Sequence, residues 1–381
     1  MPSPPAGVEP TLRLRFCVMG AGHGGMAMAA HLSLKGFPVT LYNRSEERLA
    51  PVRELGMIEL ASPGLDHVES GEAPIDTVTT DPREALENSD VVMIVVPAQG
   101  HAFLAEQCAP YLRDDHTVVL NPGRTGGALE FRRILREHGC QTDPLLAETQ
   151  TFIYASRATQ PAEARIFAIK NHVPVAALPA YRTCEVLQIL RTAYRQFVPA
   201  DNVLQTSLGN VAILFHPAVL MLNSARVEDT HGDFQYYLEG ITPSVARVLE
   251  AMDEERVALG DALGISVRTA RQWLYLAYDA AGKNLHQAVQ ANSGYKGIMA
   301  PVMLMHRYIL EDVPMSLVPM ISLGAQLGVS TPLMAAVVEV CSAMLGMDFR
   351  SEGRTMESLG IAGLTVRQIR KLVIDGDPGE A

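Results

Sequence analysis

The sequence predicts an α/β chain in two parts, with strands and helices alternating over residues 13–199 and an all-helical domain over 200–381. Three observations carry this reading. Gly20-Ala21-Gly22-His23-Gly24-Gly25 stands between a short apolar run at 15–19 and an Ala/Met-rich stretch that reads as helix. Strand and helix signals then alternate through roughly the first half of the chain. After about Val203 strand-like runs nearly vanish and long amphipathic stretches take over. A chain of 381 residues is long enough to build two cores. Residues 1–10 are Pro-rich, and 1–12 read as a flexible start; the boundary is expected near Pro199.

The glycine turn defines the first element. Gly20 permits the tight turn, and Gly22 lets backbone approach a pyrophosphate with no side chain in the way. Gly25 lets the helix pack close to the strand, and the amides from His23 and Gly24 onward face the phosphate charge. A strand before and a helix after make this the pattern of a Rossmann-type dinucleotide-binding domain. The helix is expected to stop at Gly36, and 38–42 reads as the second strand. That strand ends in Asn43-Arg44-Ser45, where an NAD-preferring unit usually places Asp or Glu on the ribose 2′-hydroxyl. A guanidinium grips a 2′-phosphate that a carboxylate would repel. Asn43, Arg44 and Ser45 therefore predict NADP, with NAD the alternative if Arg44 is only a solvated charge.

Glu46 and Glu47 suit the positive end of a helix over 46–55, and 57–60 reads as a strand. Asp81-Pro82 is an N-cap with proline at the first helical position, opening a helix that ends near Asn88. The run 91–96 suits a strand buried on both faces of a parallel sheet. It ends in Pro97-Ala98-Gln99-Gly100-His101, and a helix to about Tyr111 follows. The strand 117–120 ends in Asn121-Pro122-Gly123-Arg124-Thr125-Gly126-Gly127, with shorter apolar runs at 145–147, 166–169 and 174–178. Ligands of open parallel sheets bind beyond the carboxyl ends of the strands. Pro97, Asn121 and Gly123 are thus candidate walls of a nicotinamide pocket, with plain turn formation as their alternative use. Past the boundary, helical stretches are expected at 203–228, 240–263, 267–290, 300–311, 315–327 and 331–346.

Composition narrows the setting. At 48% hydrophobic and 19% charged residues the chain is ordinary for a globular protein. A net charge of −11 argues against nucleic acid or an anionic membrane as partner. The N-terminal stretch lacks the apolar core of a signal peptide, and no run approaches membrane-spanning length. The five cysteines are odd in number and form no Cys-x-x-Cys pair, which suits reduced thiols in the cytoplasm. No metal cluster emerges from the eleven histidines.

A dinucleotide domain followed by a helical one implies hydride transfer in the cleft between them, for which the protein must supply a proton donor and a substrate clamp. His216 lies in an apolar stretch between Asn210 and Asn223. A histidine there is ordinarily a core residue, but Pro217 breaks the helical ladder beside it and frees backbone groups. In the segment His306-Arg307-Tyr308-Ile309-Leu310-Glu311-Asp312-Val313-Pro314, Arg307 and Glu311 are spaced for a helix-surface ion pair. Asp312 stands before a Val-Pro expected to end the helix, where a carboxylate suits the tuning of a histidine acid/base.

On these residues the chain resembles the octopine/nopaline (opine) dehydrogenase family over nearly its whole length. The resemblance rests on the glycine turn, Asn121-Pro122-Gly123 with Gly126-Gly127, Asn210 with His216-Pro217 and Asn223, Tyr237-x-Glu239-Gly240-Ile241-Thr242-Pro243, and the 306–314 segment. It implies an NAD(P)H-dependent enzyme that condenses an amino acid with a 2-oxo acid such as pyruvate, through an imine. It places the catalytic histidine on His216, its aspartate on Asp312 and the substrate arginine on Arg307, with Asn210 and Tyr308 as further substrate contacts. Its partners are then small molecules only, with a homodimer as the assembly to look for. Tyr154, Arg157, Tyr295 and Lys296 are further candidate contacts. Two other readings are a 2-oxo or 3-hydroxy acid reductase leaning on Lys283, and a cofactor-binding regulator without turnover.

Overall fold

The computed structural model describes residues 13–65 and 68–379, so the N-terminal segment 1–12 lies outside the described residues. Six parallel strands form the heart of the first half: Phe16–Met19, Val39–Tyr42, Thr77–Thr79, Val91–Ile94, Thr117–Leu120 and Leu145–Thr149. In space they run third, second, first, fourth, fifth, sixth, the order of a doubly wound dinucleotide fold. Val173–Leu178 then joins antiparallel to Leu145–Thr149, and Phe197–Pro199 closes that edge. The first, second, fourth, fifth and sixth strands are buried along their whole length, as helices on both faces require.

A second sheet runs Gly71–Pro74, Met57–Ala61, Glu163–Ile169, Tyr154–Ala158. It packs on the helix His23–Leu34, whose other side lies on the main sheet. That helix is buried from Gly25 to Leu32, which is why it is Ala/Met-rich with no polar face. The strands at 71–74, 77–79, 154–158 and 197–199 have no counterpart in the sequence reading. They are short or partly exposed and carry too few alternating apolar residues to announce themselves. The expected helix over 46–55 is a 3₁₀ turn, Glu46–Arg48, followed by the helix Ala50–Leu55 with Pro51 in its first turn.

Beyond residue 203 the described chain is helical. The longest helix, Pro243–Leu263, packs against Val203–Leu208, Leu285–Ala291, Val318–Leu327 and Pro332–Leu345. One hydrophobic core runs without a break from the sheet (Ile94, Leu120, Leu146) into these helices (Leu204, Leu214, Leu249, Leu317). The apolar segment Val203–Leu222 is long enough to cross a membrane by length and composition, but 78% of it is buried inside the fold.

Further helical expectations need correction, among them 267–290, which is two helices, Ala270–Tyr278 and Leu285–Ala291. The stretch 203–228 is four short helices, Val203–Leu208, Ala212–Phe215, Pro217–Leu222 and Ser224–Thr230, with His216 at one of the breaks. The stretch 300–311 is irregular until Arg307–Leu310. The Val-Pro at 313–314 does not end a helix either. The chain continues through a π-helical turn, Val313–Leu317, into Val318–Leu327. A wide turn leaves room for a proline that a regular α-helix would reject, and such turns gather at functional sites. The helix Val366–Asp375, opened by a capping box of Thr365 and Gln368, has no counterpart in the sequence reading.

Candidate active site

The glycine turn has the geometry its spacing implies. Gly20 adopts φ +122°, and a Cβ there would lie 2.3 Å from the Val95 carbonyl oxygen. A Cβ on Gly25 would lie 1.6 Å from the Gly20 oxygen, so helix and strand touch backbone to backbone. A Cβ on Gly22 would meet nothing within 4 Å, which leaves open space in front of the helix start. The residues therefore fit a dinucleotide pyrophosphate. The His23 ring is turned away and accepts a hydrogen bond from the Ala158 amide at 2.9 Å, so only its backbone faces that space.

At the end of the second strand, Asn43 Oδ1 accepts from the Ala21 amide at 3.1 Å, and its Nδ2 donates to the Ser45 carbonyl and hydroxyl oxygens at 3.0 and 3.1 Å. Asn43 thus braces the glycine turn and Ser45 braces Asn43. Arg44 is exposed, with its guanidinium 5.4 Å from the centre of the Phe103 ring. Pro97 is exposed at the sheet's carboxyl edge. Asn121 and Gly123 are buried where the sheet meets the helices, and the Glu148 carboxyl group occupies the space a side chain on Gly123 would need.

Across the junction, Pro217 ends one helical run and begins the next, and a tyrosine hydroxyl binds the carbonyls of the two residues before the proline. The Tyr236 hydroxyl donates to the His216 carbonyl oxygen at 2.6 Å and to that of Phe215 at 3.2 Å. His216 Nδ1 lies 2.8 Å from Asp312 Oδ2, and its side chain is 16% exposed while Asp312 is fully buried. The Tyr308 ring stacks on the imidazole at 3.9 Å and 11°, and Tyr236 packs behind Tyr308 at 5.3 Å. Burial holds the imidazole below its ordinary pKa, Asp312 pulls it up, and Arg124 and Arg307 push it down. With Nδ1 held by Asp312, Nε2 is the ring nitrogen left to exchange a proton with a ligand.

Arg307 meets Glu311 as its spacing implies, Nε at 3.1 Å and Nη2 at 2.9 Å from Oε2. The pair is not a surface pair, however. Glu311 is 3% exposed and Arg307 58% exposed, so a buried carboxylate holds one edge of an open guanidinium. Burial raises the Glu311 carboxyl, but Arg124 and Arg307 overcome this and hold it down at about 2. His306 sits beside them, its ring 4.5 Å from Tyr308, kept at about 4 by burial and by Arg307.

Other candidates lie elsewhere. Asn210 is 4% exposed and its Oδ1 accepts from the Ala212 amide at 3.1 Å, so it serves a helix start. Asn223 likewise donates to the Val219 and Gly240 carbonyls. Tyr154 is a core residue, bonded to His31 at 2.9 Å and to Tyr194 at 2.8 Å. Tyr295 is buried, stacked on Tyr237 at 4.1 Å. Lys283 is exposed on the loop before Leu285–Ala291. The sequence reading gave no role to two buried arginines, Arg124 at 4% and Arg354 at 1% exposure. No local spacing announces them, because their partners lie far along the chain.

Residues 199–345 match the family described as NAD/NADP octopine/nopaline dehydrogenase, alpha-helical domain, and 15–122 match the NAD-dependent glycerol-3-phosphate dehydrogenase N-terminus. The chain is 41% identical over 358 residues to the opine dehydrogenase of Arthrobacter sp. (strain 1C), spanning 94% of this chain and 98% of that one. It belongs to the opine dehydrogenase family. Among solved structures, octopine dehydrogenase with NADH and L-arginine superposes with a TM-score of 0.78 at 20% identity, covering 97% and 99% of the two chains. Yersinopine dehydrogenase bound to NADP+ superposes at 0.72 and 16% identity, covering 95% and 98%. The fold and its cofactor class, a nicotinamide dinucleotide, are those of opine dehydrogenases, NAD(P)-dependent oxidoreductases acting at a CH–NH bond.

Proposed function

We propose that this opine dehydrogenase joins an amino acid to a 2-oxo acid such as pyruvate, with His216 as acid–base, Asp312 as its orienting carboxylate and Arg307 as the carboxylate clamp. The observation that carries the reading is the 2.8 Å His216–Asp312 bond, with Arg307 opening the short helix Arg307–Leu310 just before Asp312. Condensation forms a C–N bond and breaks the C–O bond: from the ammonium form of the amino acid two protons pass from nitrogen to oxygen, which leaves as water, and an iminium carbon remains. An imidazole backed by a buried carboxylate suits both transfers. Bound NADPH supplies the hydride that the imine carbon accepts.

Arg307 presents the edge not held by Glu311, and a guanidinium edge grips a carboxylate with directional hydrogen bonds. Tyr308 keeps the imidazole plane fixed by stacking. NADPH is proposed over NADH because the second strand ends in neutral Asn43 and exposed Arg44, where a carboxylate would repel the 2′-phosphate.

The test is oxidation of NADPH with a panel of 2-oxo acids, each with and without a panel of amino acids. Turnover that requires both substrates is the expected result. Turnover with the 2-oxo acid alone would make the protein a simple reductase. Cofactor binding without turnover on any pair would make it a regulator.

A further inference from the structure

We propose that Arg124 is a positioning residue through which the nucleotide-binding half sets both the proton affinity of His216 and the reach of Arg307. The inference rests on the roles given above to those two residues. Arg124 follows the strand Thr117–Leu120 and is 4% exposed. Its φ of +60° is a left-handed conformation that a branched or long side chain adopts only when its surroundings impose it. Arg354, itself held by Glu130 at 2.7 Å, donates to the carbonyls on either side, Gly123 at 3.0 Å and Thr125 at 3.2 Å. The conformation is thus imposed from the helical half.

Arg124 divides its fork between two adjacent carboxylates. Its Nε donates to Glu311 Oε1 at 3.1 Å, while its Nη1 stands in ion-pair contact 2.6 Å from Asp312 Oδ1 without the alignment of a hydrogen bond. Each carboxylate then has one oxygen left. Glu311 uses its second on Arg307, and Asp312 uses its second on His216. One buried cation therefore draws charge from the acid–base pair and from the clamp together.

Without it, Asp312 would put its full charge on the imidazole, and Glu311 would close with both oxygens on Arg307. The groups facing His216 are Asp312, Arg124, Arg307 and His306, with the Tyr308 ring on its face and the Tyr236 hydroxyl on its carbonyl. Among the arginines and lysines of the described residues, only Arg124 lies within ion-pair distance of Asp312.

The test uses the whole protein, labelled at histidine and titrated by NMR, with the His216 signal assigned by its loss in His216→Asn. In Arg124→Gln the His216–Asp312 pair should take up its proton about one pH unit higher or more. The KM for pyruvate should rise about fivefold or more while the KM for NADPH stays put. Arg124→Lys keeps the charge but reaches only one carboxylate, so it should restore one of the two quantities and not both.

A folded Arg124→Gln with an unmoved midpoint and unmoved KM, differing only in melting temperature, would make Arg124 a structural bridge and overturn the proposal. If Arg124→Gln does not fold, Arg124→Lys decides, since wild-type values on both readouts overturn it equally. The titration needs no turnover. A shifted midpoint in a protein that shows no amine-dependent reaction would therefore sink the functional reading and leave the coupling intact.

Discussion

At the scale of single residues, the pair His216 and Asp312 makes the strongest demand on experiment. Asp312 has no exposed surface, so its charge is spent on Arg124 and the imidazole rather than on solvent. Removing either partner breaks one unit. His216→Asn and Asp312→Asn should each lower turnover by about two to four orders of magnitude. The double variant should be little worse than either single one, and additive losses in steady-state kinetics would separate the two roles. Arg44 makes a second demand. The contact with a 2′-phosphate proposed for it would be charge-assisted and worth about 1.5–3 kcal/mol. Arg44→Ala should therefore raise the KM for NADPH roughly tenfold or more and leave that for NADH nearly alone; equal effects on both would remove the basis for the NADP assignment. These residues were legible in the sequence because each stands beside a local marker: Pro217 for His216, the 306–314 segment for Asp312, the end of the second strand for Arg44. Arg124 and Arg354 were not, since a buried arginine is recognised only by partners 187 and 224 positions away. Asn210 and Tyr154 both spend polar atoms inside the fold, Asn210 on the Ala212 amide two positions on and Tyr154 on Tyr194 and His31.

The element that repays a closer test is the strand–turn–helix at 16–34, because its glycines do different jobs. Gly22 is extended, at φ −83° and ψ −171°, a conformation open to any residue, and a side chain there would meet no protein atom within 4 Å. Gly22→Ala should fold with an unchanged melting temperature and bind NADPH about tenfold more weakly or worse, since the methyl group fills space the pyrophosphate needs. Gly25→Ala puts a methyl group 1.6 Å from the Gly20 oxygen, so helix and strand must separate. That should cost about 1–3 kcal/mol of stability as well as binding. Calorimetry on both variants checks the contrast, and two equal losses of stability would mean that the turn is only packing. The doubly wound sheet was readable because its central strands are buried on both faces and so are uniformly apolar. The second sheet was not, because Gly71–Pro74 and Tyr154–Ala158 expose much of their length. Helices failed where proline intervened, at 217 by breaking the run and at 314 by opening a π turn instead of ending it.

For the molecule as a whole, the apolar core shared by the sheet and the helices also holds buried polar groups, and Glu148 is one of them. The residue stands next to last in the sixth parallel strand, with no exposed surface. Its Oε1 accepts from the hydroxyls of Thr206 at 2.6 Å and Ser207 at 3.1 Å, and its Oε2 from the Ala128 amide at 2.8 Å. Burial pushes its pKa up to about 7, against the opposing pull of these hydrogen bonds. An acid whose folded pKa lies above its unfolded value binds its proton more tightly in the folded state. Folding stability from this group is therefore fully present below about pH 4.5 and is lost as pH rises to about 7. A displacement of that size corresponds to about 3 kcal/mol. Glu148→Gln removes the titration while keeping the shape and an oxygen for the Ala128 amide, and the Thr206 hydroxyl can turn to accept because it also donates to the Val203 carbonyl at 2.9 Å. The variant should match the wild type near pH 5 and unfold at a higher temperature near pH 8, where the wild-type carboxylate is charged and buried. Parallel melting curves across that range would mean that Glu148 is ionised throughout, with Thr206, Ser207 and Ala128 holding it as a fixed anion between the two halves.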